Sequence, residues 1–264
     1  MSKELVETAT TAEQSEAVQN YVMGHVLDSQ EWHLPFLHLH LPDFITLHGV
    51  MLIICAVFLC VLFGVFYRKG PGAPTGITNL LELFVVFIRD EVSIACLGKE
   101  DGRKMTPLFC TFFFFILGLN LLGLIPLFAT ATGNVNVTGG LAAIVLFLMI
   151  LGGVYKNGFG GFIKAFIPHG VPWPILVIVT PLEFLGLFIK AFALMIRLFA
   201  NMLAGHIVIF SLLGLIVTFG IYALPSLALA LGISLMEIFI ALLQAYIFTL
   251  LSAMFIGQVY HPAH

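Results

Sequence analysis

Charge is what this sequence lacks most. Asp, Glu, Lys and Arg make up 9% of its 264 residues, against about 25% in ordinary globular chains, which excludes a soluble domain. Bases are missing from the beginning: seven acids and one base, Lys3, precede Leu47, and the next bases are Arg68 and Lys69. A basic-then-apolar layout is absent too, so a cleaved signal peptide is not expected. The four cysteines, Cys55, Cys60, Cys96 and Cys110, show no paired spacing; they read as small hydrophobes rather than disulfides or metal ligands. No Gly-rich loop ending in Lys-Ser or Lys-Thr appears, so nucleotide chemistry has no site here. Neither an internal repeat nor paired Gly/Pro breaks mark two halves.

What fills the sequence is apolar: 60% of it, with a mean hydropathy of +1.09. Several runs reach the roughly 20 residues a spanning helix needs. In lipid the backbone must satisfy its own hydrogen bonds, so these runs are helical. The expected fold is all-α, a polytopic membrane protein with about five spanning helices. Residues 1–46 form an acidic, histidine-containing N-terminal segment and residues 47–264 the membrane domain. Spans are expected over His48–Phe66, Thr106–Phe128 and Leu141–Tyr155. An uncharged loop covers Thr130–Gly140, and a Pro168–Pro172 turn follows the third span. Thr78–Cys96 carries Glu82, Arg89, Asp90 and Glu91, and reads as an amphipathic helix at the interface or a partly buried one. Arg68, Lys69, Arg89, Lys99, Arg103, Lys104, Lys156 and Lys164 all fall in connections on one side. The positive-inside rule makes that side cytoplasmic and the N-terminus external.

The last third is too long for simple spans. Glu183–Gly220 contains no proline and, as one helix, would measure about 57 Å, against a hydrocarbon core of about 30 Å. Leu227–Gln258 would measure about 48 Å. Either each stretch is broken into two short spans, or both form a long, steeply inclined helical hairpin over about 175–260, turning near Gly220–Pro225; few turn residues interrupt them, which favours the hairpin. Within it Arg197 is a guanidinium that cannot lose its proton, placed where charge is expensive and functional by default. Glu183, Lys190 and Arg197 recur at intervals of seven, which keeps them near one face, with Asn201 one turn further. Glu237 and Gln244 repeat that spacing on the second helix, and Gln258 extends the row. An antiparallel hairpin levels Arg197 with Gln244 and His206 with Glu237, although His206 lies half a turn from Arg197, which calls for local distortion near Ala204–Gly205 or for different neighbours of the two pairs. Arg197 has no acid of its own at its depth. Its anion is expected from a partner helix bearing one membrane-embedded carboxylate, with Ala193, Ala200, Ala204 and Gly205 allowing close approach. These are parts for moving ions.

The stretch Arg197-Leu198-Phe199-Ala200-Asn201-Met202-Leu203-Ala204-Gly205-His206, with Leu243-Gln244-Ala245-Tyr246-Ile247-Phe248, resembles the two signature stretches of subunit a of F-type ATP synthases. Asn120-Leu121-Leu122-Gly123-Leu124-Ile125-Pro126, and His25 with Glu31-Trp32, look similar as well. The resemblance implies an ion-translocating stator subunit beside a ring of c subunits, with b-type peripheral stalk subunits and, indirectly, the F1 sector as further partners. It needs no cofactor and no metal. In that reading Arg197 is the essential arginine between two offset half-channels. Glu183 matches the acid of the cytoplasmic path. His206, Glu237, Asn201 and Gln244 line the opposite path or flank the arginine, and Asn120 falls near that second path. Two departures stand out: the acid and the imidazole of some bacterial relatives are exchanged between Glu237 and His206, and Gly123 replaces an acid found in others. The implied location is a bacterial inner membrane, with the C-terminus cytoplasmic. Whether the ion is a proton or sodium belongs to the ring.

Plainer readings stand beside these. Glu183, following Thr180-Pro181, also suits a helix start, where the dipole favours an acid; Lys190 suits snorkelling. His206 and Glu237 also suit a structural hydrogen-bonded pair. His33, His38 and His40 suit packing on the outer surface better than a metal site. Asn79–Glu91 suits either a stator contact or a solvated face, and the Phe112–Phe115 run lipid contact or packing. The rival functions are a secondary transporter, whose repeated halves and broken helices are missing here, and a membrane scaffold, which leaves Arg197 without a reason.

Overall fold

The computed structural model describes residues 46–66, 76–125, 128–164, 166–167 and 173–261, together with the backbone of 31–34 and 37–40. The N-terminal acids through Asp28, His25, Arg68, Lys69 and the Pro168–Pro172 turn lie outside the described residues, as do the side chains of Glu31, Trp32, His33, His38 and His40. In the N-terminal segment β1 (Glu31–Leu34) and β2 (Leu37–His40) pair antiparallel, with His33 opposite His38. This short ribbon adds to an otherwise helical fold.

The helices are α1 (Leu47–Phe66), α2 (Ile77–Phe87), α3 (Ala95–Gly123), α4 (Val135–Phe147), α5 (Gly153–Lys164), α6 (Trp173–Phe219) and α7 (Leu224–Tyr260). Wide π turns at Ile88–Ile94 and Leu148–Gly152 join α2 to α3 and α4 to α5. Five segments are long and apolar enough to cross a membrane: Leu47–Val65, Ile77–Gly123, Val135–Lys164, Pro174–Ile216 and Leu224–Tyr260. Their exposed Ile, Leu, Val and Phe side chains suit lipid as solvent. The chain is a multi-pass helical membrane protein.

Two boundaries differ from expectation. The loop after α3 is shorter than Thr130–Gly140, because helix resumes at Val135, where the Thr138 hydroxyl bonds back to the Val135 carbonyl at 3.2 Å. The helix α6 begins at Trp173 and runs through Pro181. Glu183 therefore stands well inside a helix, and the helix-start reading of it falls. Membrane helices tolerate an interior proline when neighbours satisfy the freed carbonyl. The helices α6 and α7 are each continuous rather than broken, and a short 3-10 turn at Gly220–Ala223 joins them.

The chain divides into two compact units. Unit one comprises residues 1–56, 117–134 and 199–243. There α1 buries Leu47, His48, Met51 and Cys55, a stripe at intervals of one to four residues. A Cβ at Gly118 would lie 2.8 Å from the Cys55 sulfur, so glycine sets that approach. The Ser226 hydroxyl donates to the Leu212 carbonyl at 3.3 Å, tying the start of α7 to the end of α6.

Unit two comprises residues 57–116, 135–198 and 244–264. Here the chain reverses twice at glycine. Gly98 has φ 78° and ψ 175°, and Gly158 has φ 71° and ψ 166°, a region open essentially to glycine alone. The Ser93 hydroxyl donates to the Gly102 carbonyl at 2.6 Å. Nine residues of straight helix would separate them by about 13 Å, so the chain doubles back. Beyond the turn Phe84 meets Phe113 at 5.5 Å between ring centroids, and Phe63 meets Phe114 at 5.0 Å. The phenylalanine run is thus mostly packed rather than exposed. Phe112 adds an edge contact to Phe248. The amphipathic Ile77–Leu97 limb is partly buried against α3, with Ile88, Val92 and Leu97 almost fully enclosed. Lipid tails are as apolar as leucine, so such packing rests on close fit more than on a hydrophobic drive.

Candidate functional site

The polar groups of the long helices separate into an inward set and an outward set. In unit one, His206 on α6 and Glu237 on α7 are both buried, with Nδ1 and Oε1 3.5 Å apart. The expected pairing of these two residues is present. His206 Nε2 lies 2.9 Å from the Gly123 carbonyl, and Nδ1 lies 3.1 Å from the Met202 carbonyl. The ring is held from both sides, with its Nδ1 edge toward the carboxylate. Apart from that imidazole, Glu237 has no polar side-chain partner, and neither of its oxygens makes a close hydrogen bond. A Cβ at Gly205 would collide with Glu237 Oε1. Gly205 therefore makes room for the carboxylate inside the chain, whereas Ala200 and Ala204 are exposed. Asn120 is 2% exposed and reaches the Ala241 carbonyl at 3.5 Å, leaving its own carbonyl oxygen without a partner.

The signal for this inward set was legible as spacing, but its surroundings were not. His48, 1% exposed at the start of α1, lies with its Nδ1 3.4 Å from Asn134 Nδ2. The Thr130–Asn134 segment that carries Asn134 is a tight turn. Thr130, Ala131, Thr132 and Gly133 are buried, and the Thr132 hydroxyl has no partner. A histidine opening an apolar span, together with an uncharged Thr/Asn/Gly run, was the available sign.

In unit two, Arg197 is exposed on α6, and among the described residues no carboxylate stands within ion-pair distance of it. Ala193, Ile196 and Ala200 are exposed around it, as is Asn201 one turn on. Gln244 is buried, 4% exposed. Arg197 thus looks outward while Gln244 sits inside, and no bond joins the two. His206 also faces inward along the same continuous helix. The half-turn offset between Arg197 and His206 needs no distortion: the two residues have different neighbours. Glu183 is exposed on the helix that carries Arg197.

Lys190 does not snorkel alone. Its Nζ donates to Gln258 Oε1 at 2.8 Å and sits 5.4 Å from the centroid of the Phe255 ring. A further cluster was not anticipated. Asp101 binds Lys156 Nζ, and His261 Nε2 lies 3.1 Å from both Asp101 and the Leu97 carbonyl. Among the described residues no group of three His, Cys, Asp or Glu could hold a metal ion.

Residues 49–257 match the family model of the ATP synthase A chain. That interval contains the outward arginine and the buried His–Glu pair. The chain belongs to this family. It is similar to ATP synthase subunit a of Chloroherpeton thalassium, 46% identical over 96% of this chain and 79% of the relative. The Myxococcus xanthus ATP synthase subunit a is 44% identical over 83% of this chain and 74% of its own length. The Anaeromyxobacter dehalogenans ATP synthase subunit a is 46% identical over 80% of this chain; the aligned part spans 57% of that longer relative. Family membership makes the outward arginine and the inward pair the residues to explain.

Proposed function

We propose that this chain is the ion-translocating stator subunit of a rotary F-type ATP synthase, offering two offset half-channels to carboxylates on a c-subunit ring. The observation that carries the reading is Arg197, a permanent cation exposed on α6 with no carboxylate within ion-pair distance among the described residues. Intramembrane charge needs a partner, and here the partner comes from outside the chain. Exposed Ala193, Ala200 and Ala204 let a helix approach closely.

The chemistry follows from environment. A carboxylic acid in lipid is kept neutral by desolvation, whereas a guanidinium beside it favours the anion. As a ring carboxyl reaches Arg197, its ion leaves into one half-channel; beyond Arg197 it takes another from the second. The arginine's fixed charge also bars an ion from crossing directly. Glu183 serves the cytoplasmic path. His206, Glu237 and Asn120 line the opposite path, and Asn201 and Gln244 flank the arginine. An imidazole against a carboxylate can take up and release protons near neutral pH, so exchanging the two residues between helices preserves the function. The ring selects between proton and sodium.

The same reading supplies the partners: the c ring at the Arg197 face, a b-type peripheral stalk, the F1 sector indirectly, and the bilayer around the rest. It places the chain in a bacterial inner membrane with residues 1–46 outside and the C-terminus in the cytoplasm. Asp101 supports that orientation, since it gathers Lys156 and His261 beside a concentration of bases.

The test is ATP-driven acidification of inverted vesicles carrying the wild-type chain or Arg197→Ala, with passive leak recorded alongside. Loss of pumping, with complex assembly and ATP hydrolysis intact, is the expected result. Unchanged pumping by the assembled variant would overturn the assignment.

A further inference from the structure

We propose that His48, itself buried, is the outer proton-accepting residue of this chain, the first stop of a relay that runs through the buried turn Thr130–Asn134 to the His206–Glu237 pair. The inference rests on the ion-translocating reading above, and adds to it a residue on the first helix.

The relay is a succession of contacts within unit one. Glu237 faces His206 at 3.5 Å, and His206 Nε2 lies 2.9 Å from the Gly123 carbonyl. A Cβ at Gly123 would come within 3.2 Å of Thr130 Cγ2, so the turn lies directly against that glycine. The turn closes through the Gly133 amide on the Thr130 carbonyl at 2.9 Å and the Asn134 amide on the Ala131 carbonyl at 3.1 Å. It ends at Asn134, whose side-chain nitrogen is 3.4 Å from His48 Nδ1. Loops ordinarily lie on the surface because their polar groups want water. This one is buried, with Thr132 fully enclosed.

Three residues of unit one carry buried polar atoms without hydrogen-bond partners: the Thr132 hydroxyl, in the turn between the two imidazoles, both oxygens of Glu237, at the inner end of the relay, and the carbonyl oxygen of Asn120, one turn before Gly123. Buried polar atoms in native proteins are satisfied by protein or by ordered water. Such atoms along the relay are places for water to bridge and for protons to hop. Glycine at position 123 fits the same logic: with no acid there, the carbonyl of that residue holds His206, and the proton must come from further out. Histidine is the side chain suited to take it near neutral pH. In each cycle one proton reaches the His48 imidazole from the outer side, one passes from His48 to the waters and polar groups of the turn, and one passes from these to the His206–Glu237 pair, leaving His48 and the turn as they began.

The experiment uses the assembled complex in vesicles, with the four native cysteines replaced by alanine. After the soluble sector is stripped, proton flux is driven by a potassium diffusion potential. His48→Gln and His48→Ala are expected to lower the flux at least tenfold, with complex abundance unchanged. Thr132→Cys is expected to make conduction sensitive to silver ion added from the outer side, which a purely structural role for the turn would not produce. Flux at the wild-type level in His48→Gln, or silver resistance of Thr132→Cys, overturns the proposal; should the alanine variant fail to assemble, the glutamine variant decides. Arg197→Ala is the control: if it stops pumping while the His48 variants conduct normally, only the first stop is wrongly placed. If it pumps like the wild type, the motor reading itself fails.

Discussion

At the scale of single residues, the distinction that matters is between an exposed charge and a buried pair. Arg197 is exposed, with no carboxylate within ion-pair distance among the described residues; Glu237 is buried and faces one imidazole. Removing one member of a buried pair is expensive, about 3–5 kcal/mol, because the other is left unpaired. His206→Ala is therefore expected to cut proton flux at least tenfold and to reduce the amount of assembled complex. The exchange His206→Glu with Glu237→His keeps one acid and one base at the same place, and is expected to recover much of both. A double variant no better than the single one would show that each group acts through its own helix and not as a pair. The pair was legible in the sequence because antiparallel register is arithmetic on residue numbers. The inward direction of Gln244 was not, since spacing gives a face without saying which neighbour covers it. His48 was less legible still, because its partner Asn134 is 86 positions away in sequence.

At the scale of elements, glycine does in this fold what proline and polar loops do elsewhere. The expected spans were found because long apolar runs in lipid have one structural solution. The reversals at Gly98 and Gly158 fall beside the charged residues Lys99–Asp101 and Lys156, which the sequence places in connections; which glycine takes the positive φ was hidden, because composition carries no mark of φ. Gly98 and Gly102 play different parts. Gly98 supplies a positive φ, and Gly98→Ala should cost about 1–3 kcal/mol in strain. Gly102 supplies space: a Cβ there would stand 2.7 Å from the Ile94 Cα and from the Ser93 carbonyl oxygen. Both are backbone and cannot swing away, so Gly102→Ala is expected to destabilise by a similar amount, about 1–3 kcal/mol. The measurement is the thermal unfolding midpoint in detergent, compared with Gly64→Ala, where nothing lies within 4 Å of the new methyl. Equal effects at all three positions would deny the reversal any special role.

At the scale of the whole molecule, topology depends on whether the Ile77–Leu97 limb crosses the membrane. If it did, the bases on its two sides would face opposite compartments, against the charge bias that orients helices. The limb folds back on α3 at Gly98, and Asp101 just beyond that turn holds Lys156, beside the Gly158 turn, and His261 at the end of α7. One carboxylate thus gathers three separate parts of unit two, with Lys99, Arg103, Lys104 and Lys164 close in sequence to the two turns. Lys99 and Lys164 are exposed, so each can report its side. In the cysteine-free background, Lys99→Cys and Lys164→Cys are both expected to react with a membrane-impermeant maleimide in inverted vesicles and not in intact spheroplasts. A tag at the N-terminus should be reachable by protease only in the spheroplasts, because five crossings put the two ends on opposite sides. Labelling of both cysteines from outside would invert the orientation while keeping the fold. Labelling of the two from opposite sides would separate the Gly98 and Gly158 turns, and with them the clasp at Asp101.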